Sequence, residues 1–168
     1  MKRILALFLL LYSAHVNAGT HINVYLTGYR SDGLSPLLAW RSNEHTGDKY
    51  FTDGMYRCAV GEKGKFDKVS HTPTGKFKVV YMKKDPIYID FTGKFIAGPY
   101  IQNKANVYGT RIIGLNYVRN GRHLCIHGTN EPELIPGYVS HMCVRLYNRD
   151  VEELFDHVHV GDTVEILP

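Results

Sequence analysis

Beyond residue 20 the apolar positions fall into short runs, most of them alternating with polar ones. His21 to Leu26 puts Ile22, Val24 and Leu26 on every second position, the period of a strand with one buried face. Pro36 to Trp40 is a second apolar segment. Tyr56–Val60, Phe77–Met82, Ile87–Phe91, Arg111–Leu115 and Arg122–Ile126 read as further short strands, and Thr163–Leu167 closes the chain as another. The segments between them carry turn chemistry. Thr72-Pro73-Thr74-Gly75 combines a fixed φ with a residue that tolerates positive φ, and Gly161-Asp162 precedes the last strand. Tyr29–Ser35, Gly47–Gly54 and Gly61–Ser70 read as turns and loops. One helix is predicted, over Arg149–Val158, where Val151, Leu154, Phe155 and Val158 follow helical spacing behind Asn148 as N-cap. Phe95–Tyr108 holds Phe95, Tyr100 and Tyr108 among Gly, Pro and Asn. It is long for a plain connection, and reads as a lid or binding loop or as an ordered surface loop. Many short strands with one helix in the C-terminal half predict a mostly-β sandwich or barrel.

The first residues depart from this pattern. Met1-Lys2-Arg3 is a short basic start, Ile4 to Tyr12 is unbroken apolar sequence, and Val16-Asn17-Ala18 ends in small residues. That layout predicts a signal peptide over residues 1–18, cleaved before Gly19, and one domain over residues 19–168. The apolar run falls short of the roughly 20 residues that span a bilayer, so no membrane span is expected after cleavage. The absence of a cysteine at the cleavage site argues against a lipid anchor. Loss of Lys2 and Arg3 removes two positive charges from the net +4, and with them most of the case for a nucleic-acid partner. A length of 168 residues with 44% hydrophobic and 21% charged residues excludes a disordered chain and a multispan membrane protein.

Three cysteines, Cys58, Cys125 and Cys143, leave at least one thiol unpaired in an exported chain. For Cys58 and Cys125 the alternatives are buried inert thiols or a mutual bridge. Cys143 sits in richer surroundings. Ile126-His127-Gly128 ends a strand at a glycine, and Ser140-His141-Met142-Cys143-Val144-Arg145 follows after a loop. A thiol becomes a nucleophile when a neighbouring base or cation favours its thiolate, and His127 can return to Cys143 in space. Main-chain N–H groups around Met142 and Cys143 can form an oxyanion hole if their turn faces the substrate. The residues read as a candidate Cys–His acyl-transfer site.

Ile126-His127-Gly128-Thr129-Asn130-Glu131-Pro132, followed by Val139-Ser140-His141-Met142-Cys143-Val144-Arg145-Leu146-Tyr147-Asn148, strongly resembles the L,D-transpeptidase (YkuD) family. The family signature is a His-Gly followed by Ser-His-Gly-Cys-(Ile/Val)-Arg. His71-Thr72-Pro73-Thr74-Gly75-Lys76-Phe77, Tyr108-Gly109-Thr110-Arg111 and Asp150-Val151-Glu152-Glu153-Leu154 agree with it in collinear order. The resemblance implies a β-sandwich enzyme of the bacterial periplasm or cell envelope that needs no cofactor and no metal. Such enzymes attack the third residue of a peptidoglycan tetrapeptide stem, release the terminal D-alanine and hold the stem as a thioester. A stem amine, a D-amino acid, a cell-wall-linked lipoprotein or water then resolves it. By the same resemblance Cys143 is the nucleophile and His127 the general base. His141 shapes the turn and helps polarise the site, Ser140 supports it, and Gly128 holds the base through its carbonyl. Arg145 either binds a substrate carboxylate or braces the turn.

One position departs from the family pattern. Met142 stands where the signature has glycine. If that position needs positive φ, Met142 is strained and misplaces an oxyanion donor; if not, it adds an apolar wall beside the thiol. Three rival readings are an L,D-carboxypeptidase or related hydrolase, a catalytically weak wall-binding module, and a metal site. The metal candidates are His127, His141 and Cys143, or His157 with His159, and neither spacing resembles a common zinc pattern.

Overall fold

A computed structural model describes residues 19–27, 35–42, 52–64, 70–90 and 92–168. The signal peptide expected over residues 1–18 lies outside the described residues, as do most of the Tyr29–Ser35 and Gly47–Gly54 segments. The strands are β1 (Thr20–Tyr25), β2 (Leu37–Ser42), β3 (Gly54–Arg57), β4 (Ala59–Gly61), β5 (Gly75–Lys84), β6 (Tyr88–Ile89), β7 (Phe95–Ala97), β8 (Arg111–Arg119), β9 (Arg122–His127), β10 (Gly137–Ser140), β11 (Val144–Arg145) and β12 (Thr163–Leu167). The helix is α1 (Asn148–His157), and it is the only α-helix among the described residues.

Ten strands form one mixed sheet in the order β10-β4-β11-β9-β8-β5-β12-β1-β2-β3, and β6 and β7 form a separate hairpin. The expected mostly-β fold with one helix is found, and the two halves of its sheet are joined through β5. Residues 75–78 of that strand pair with β12, whereas residues 79–84 pair with β8 across a register shift between Val79 and Tyr81. A bulge in a long strand is how one sheet turns a corner, so the sheet curls over a single core. The core follows from period-two alternation: Ile22 and Val24 of β1, Val79 of β5, and Val164 and Ile166 of β12 are buried in one cluster. Val151, Leu154 and Val158 of α1 join it, and the helix packs on β8 and β9. Burying one such side chain contributes about 1.5–3 kcal/mol.

Several elements differ from expectation. β8 runs on past Leu115 to Arg119 and turns back through Asn120 (φ 52°) and Gly121 (φ 74°), the two positive φ values of a type I′ hairpin. That turn sets the frame of β9, which carries His127. The Tyr56–Val60 run is broken at Cys58, whose N–H leaves the sheet ladder for the carbonyl of Pro36 at 3.1 Å. The expected Ile87–Phe91 strand is shorter among the described residues. Its Tyr88 and Ile89 pair with β7. Among the described residues no helix is long and apolar enough to cross a membrane.

Candidate active site

β9 and β11 run parallel, with Val144 opposite Ile126 and Arg145 opposite His127. Alternation then sorts the side chains by face. Ile126 and Val144 turn inward and are fully buried. Cys125 and His127 turn to the other face with Arg145, and the same register taken one residue back sets Cys143 beside Cys125. All four line one cleft of about 970 Å³. Tyr88, Ile89 and Asp90 from the β6–β7 hairpin form another wall, with Tyr108 beside them. The Phe95–Tyr108 segment is thus partly strand and partly wall of the cleft.

His127 is only 3% exposed and tightly held. Its Nδ1 lies 2.7 Å from the carbonyl oxygen of Gly128. A carbonyl only accepts, so Nδ1 carries the hydrogen and Nε2 is left as the acceptor of the neutral ring. Tyr108 meets the imidazole edge-on, with centroids 5.3 Å apart, and Tyr88 meets Tyr108 in the same way at 5.4 Å.

The loop behind His127 is secured by a residue whose part the sequence misassigned. Asn148 does not cap α1; Tyr147 occupies that position and makes no side-chain cap. The Asn148 carboxamide instead accepts from the N–H groups of Thr129 (3.1 Å) and Thr110 (3.3 Å) and donates to the Thr129 carbonyl (3.0 Å). Two glycines make room for it. A Cβ on Gly128 or on Gly109 would come within 2.1 Å or 2.0 Å of Asn148 Oδ1, far inside contact distance. Gly109 also has φ 63°, a conformation costly for other residues.

The Cys143 turn is tied from both sides. Ser140, 2% exposed, donates its hydroxyl to the Cys143 carbonyl at 2.6 Å. Thr72 donates to the Met142 carbonyl at 2.8 Å and accepts from Gly61 N–H at 2.7 Å. Thr72 lies in a segment matching the family, yet no local signal marks its hydroxyl as a tie to the Cys143 turn. Met142 is not among the positive-φ residues, so the strain expected of a left-handed position is absent. Its side chain is 5% exposed and packs in the core cluster, the apolar-wall alternative. Met142→Gly is therefore expected to leave acylation no faster and to lower stability by about 3 kcal/mol, because a buried side chain is lost and the chain loosened. Denaturant unfolding and single-turnover kinetics check both halves.

Electrostatics separates the thiols. The Cys143 thiol is pulled well below its usual range, first by a hydrogen bond from Cys125 and then by the hydrogen bond and charge of His127, against the opposing effect of burial. Burial pushes the Cys58 thiol up. A depressed thiol stabilises the fold above its unfolded value near pH 8.5, and that contribution is lost as pH falls through the lower folded value. Iodoacetamide at pH 7 is thus expected to alkylate Cys143 and spare Cys58 in the native protein. Peptide mapping reads the result, and equal labelling would refute it. All three cysteines are free thiols, so the Cys58–Cys125 bridge weighed from the sequence is not formed.

The remaining candidates divide. Arg145 Nη1 pairs with Glu131 at 3.1 Å, linking the Cys143 turn to the loop after Gly128, while the residue also lines the cleft. His141 lies on the cleft wall with its side chain exposed. The two C-terminal histidines go separate ways: His157 stacks on Trp40 at 4.5 Å, and His159 lies 4.0 Å from Asp162. Among the described residues no group of three or more His, Cys, Asp or Glu side chains is placed to hold a metal ion.

Residues 37–166 match the family described as the YkuD L,D-transpeptidase catalytic domain. The chain belongs to that family. It is 36% identical over 150 residues to YqjB of Bacillus subtilis (strain 168), a candidate L,D-transpeptidase by its name, covering 79% of each chain. It is 30% identical over 159 residues to YkuD of Bacillus licheniformis, a candidate of the same kind, covering 94% of this chain and 81% of that one. Among solved structures an L,D-transpeptidase from Mycobacterium smegmatis superposes with TM-score 0.57 at 15% identity, over 90% of this chain and 59% of that one. L,D-transpeptidase 3 from Mycobacterium tuberculosis, in complex with a faropenem-derived adduct, gives TM-score 0.58 at 15% identity, over 89% and 60%. The chain thus spans about three-fifths of those L,D-transpeptidase structures, and the likeness establishes a shared fold.

Proposed function

We propose that the protein is a peptidoglycan-modifying L,D-transpeptidase of the cell envelope, exported by the segment over residues 1–18, with Cys143 as nucleophile and His127 as general base. The observation that carries this reading is the parallel pairing of β9 and β11, with Cys143 and His127 on one face and the His127 Nδ1 hydrogen committed to Gly128. His127 Nε2 accepts the thiol proton. The Cys143 sulfur adds to the carbonyl at the L-to-D junction of a tetrapeptide stem, and the oxyanion takes hydrogen bonds from the N–H groups of Met142 and Cys143. The imidazolium returns the proton to the leaving D-alanine, and a thioester remains on Cys143. An acceptor amine then gives a proton to His127 and takes the acyl group. Arg145 and Ser140 keep the turn in place, and His141 stands where an incoming stem passes.

The test is incubation of the protein with tetrapeptide muropeptides, with and without a D-amino acid, and separation of the products by mass. Release of D-alanine with incorporation of the added amino acid supports transfer. Release without incorporation points to hydrolysis and overturns the acceptor half of the proposal. A protein that releases no D-alanine and takes no carbapenem adduct on Cys143 overturns the whole.

A further inference from the structure

The cleft holds two thiols, and the proposed reaction uses one. Cys125 is 4% exposed and shares the cleft with Cys143. The β9–β11 register, continued one residue back from Val144 opposite Ile126, makes them lateral neighbours on one face. Paired strands lie about 4.7–4.9 Å apart, inside the 4.4–6.8 Å Cα separation that a disulfide bridges. Both sulfurs lie close to one atom, the His123 carbonyl oxygen, at 3.5 Å from Cys125 Sγ and 3.8 Å from Cys143 Sγ. The Cys125 sulfur also lies 3.2 Å from the Tyr81 hydroxyl.

We propose that Cys125 is the resolving thiol of Cys143, converting peroxide damage at the nucleophile into a reversible Cys125–Cys143 disulfide. The proposal rests on Cys143 being the reactive thiol of the cleft. In the first step the Cys143 thiolate attacks hydrogen peroxide. An S–O bond forms, the O–O bond breaks, and the departing hydroxide takes a proton from the imidazolium and leaves as water. Cys143 is now a sulfenic acid. In the second step Cys125 sulfur attacks Cys143 sulfur as its proton passes to the sulfenic hydroxyl. The S–S bond forms, the S–O bond breaks, and a second water leaves. Two thiols lose two electrons, and one peroxide becomes two waters.

The surroundings set the order of these steps. While Cys143 is a thiolate, the Cys125 thiol is held protonated, first by its hydrogen bond to Cys143 and next by burial. Oxidation of Cys143 removes that negative charge, and with it the largest of the influences that hold Cys125 protonated. Cys58 is fully buried in the core and takes no part.

The test treats the purified reduced full chain with a small molar excess of hydrogen peroxide, followed by peptide mapping and then dithiothreitol. Wild type and Cys58→Ser are expected to yield a peptide linking Cys125 to Cys143, and dithiothreitol restores the free Cys143 thiol. Cys125→Ser and Cys125→Ala are expected to gain about 32 or 48 Da on Cys143, as sulfinic or sulfonic acid, which dithiothreitol does not reverse. Wild type that reaches those acids as fast as the Cys125 variants overturns the proposal, and the wild-type map decides this even if a variant folds poorly. Disulfide formation without a carbapenem adduct or D-alanine release would overturn the transpeptidase reading alone. Acylation with unchecked over-oxidation would overturn this one alone.

Discussion

Cys143→Ala is expected to abolish both D-alanine release and carbapenem acylation, and His127→Ala to slow both by about 10²–10⁴-fold. The two losses differ in kind. Alanine at position 143 leaves no atom able to form the thioester, so no residual turnover survives by that route. Alanine at position 127 leaves the thiol in place but removes the Nε2 acceptor and the acid that protonates the leaving amine. Loss of the imidazolium also withdraws one of the influences that depress the Cys143 thiol. The pH–rate curve for acylation should therefore shift to higher pH in His127→Ala as well as fall. Single-turnover acylation followed by intact mass across pH 5–9 separates the effects. Equal processing by wild type and Cys143→Ala would refute the nucleophile, and an unmoved pH curve in His127→Ala would refute the coupling.

Asn148→Ala is expected to lower stability by about 2–4 kcal/mol. It orphans two N–H donors and one carbonyl that the carboxamide satisfies, and each of these part-buried groups costs about 1 kcal/mol, the low end for an unpartnered polar group. It also opens a gap between Gly109 and Gly128, which have no side chain to fill it. Because Gly128 carries the carbonyl that orients His127, turnover should fall about 10–100-fold even at temperatures where the variant stays folded. Asn148→Asp keeps the Oδ1 acceptor and loses the donor to Thr129. It should recover part of the stability, and a stability equal to that of Asn148→Ala would refute the clamp. Chemical denaturation and the ratio of kcat to KM effects read the two consequences.

Much of the fold was legible along the chain. The alternation of Ile22 and Val24, and of Val164 and Ile166, marks strands because a residue's face depends only on its parity within the strand. The spacing of Val151, Leu154 and Val158 marks α1 for a similar local reason. The limits of that reading appear at Leu115, where the expected strand ended although β8 continues: the Asn120-Gly121 turn and the pairing of β9 hold the extra residues in place. They appear again at Asn148, a good capping residue by type, whose carboxamide finds better-matched partners in a loop nineteen residues distant in sequence. Local propensity loses to a buried pair of donors left without water.

The sequence by itself determined the mostly-β class, the single helix and a Cys–His pair set in the family's signature string. Only the tertiary structure decided which thiol neighbours which. The sequence weighed Cys125 against Cys58, and the parallel pairing of β9 and β11 sets Cys125 beside Cys143 instead. The same structure showed that Met142 needs no left-handed backbone, and that Thr72 and Asn148 hold the two halves of the site. The reason is physical. Periodicity and turn chemistry are short-range and can be read along the chain, whereas the register between two distant strands is set by the packing of the whole curled sheet.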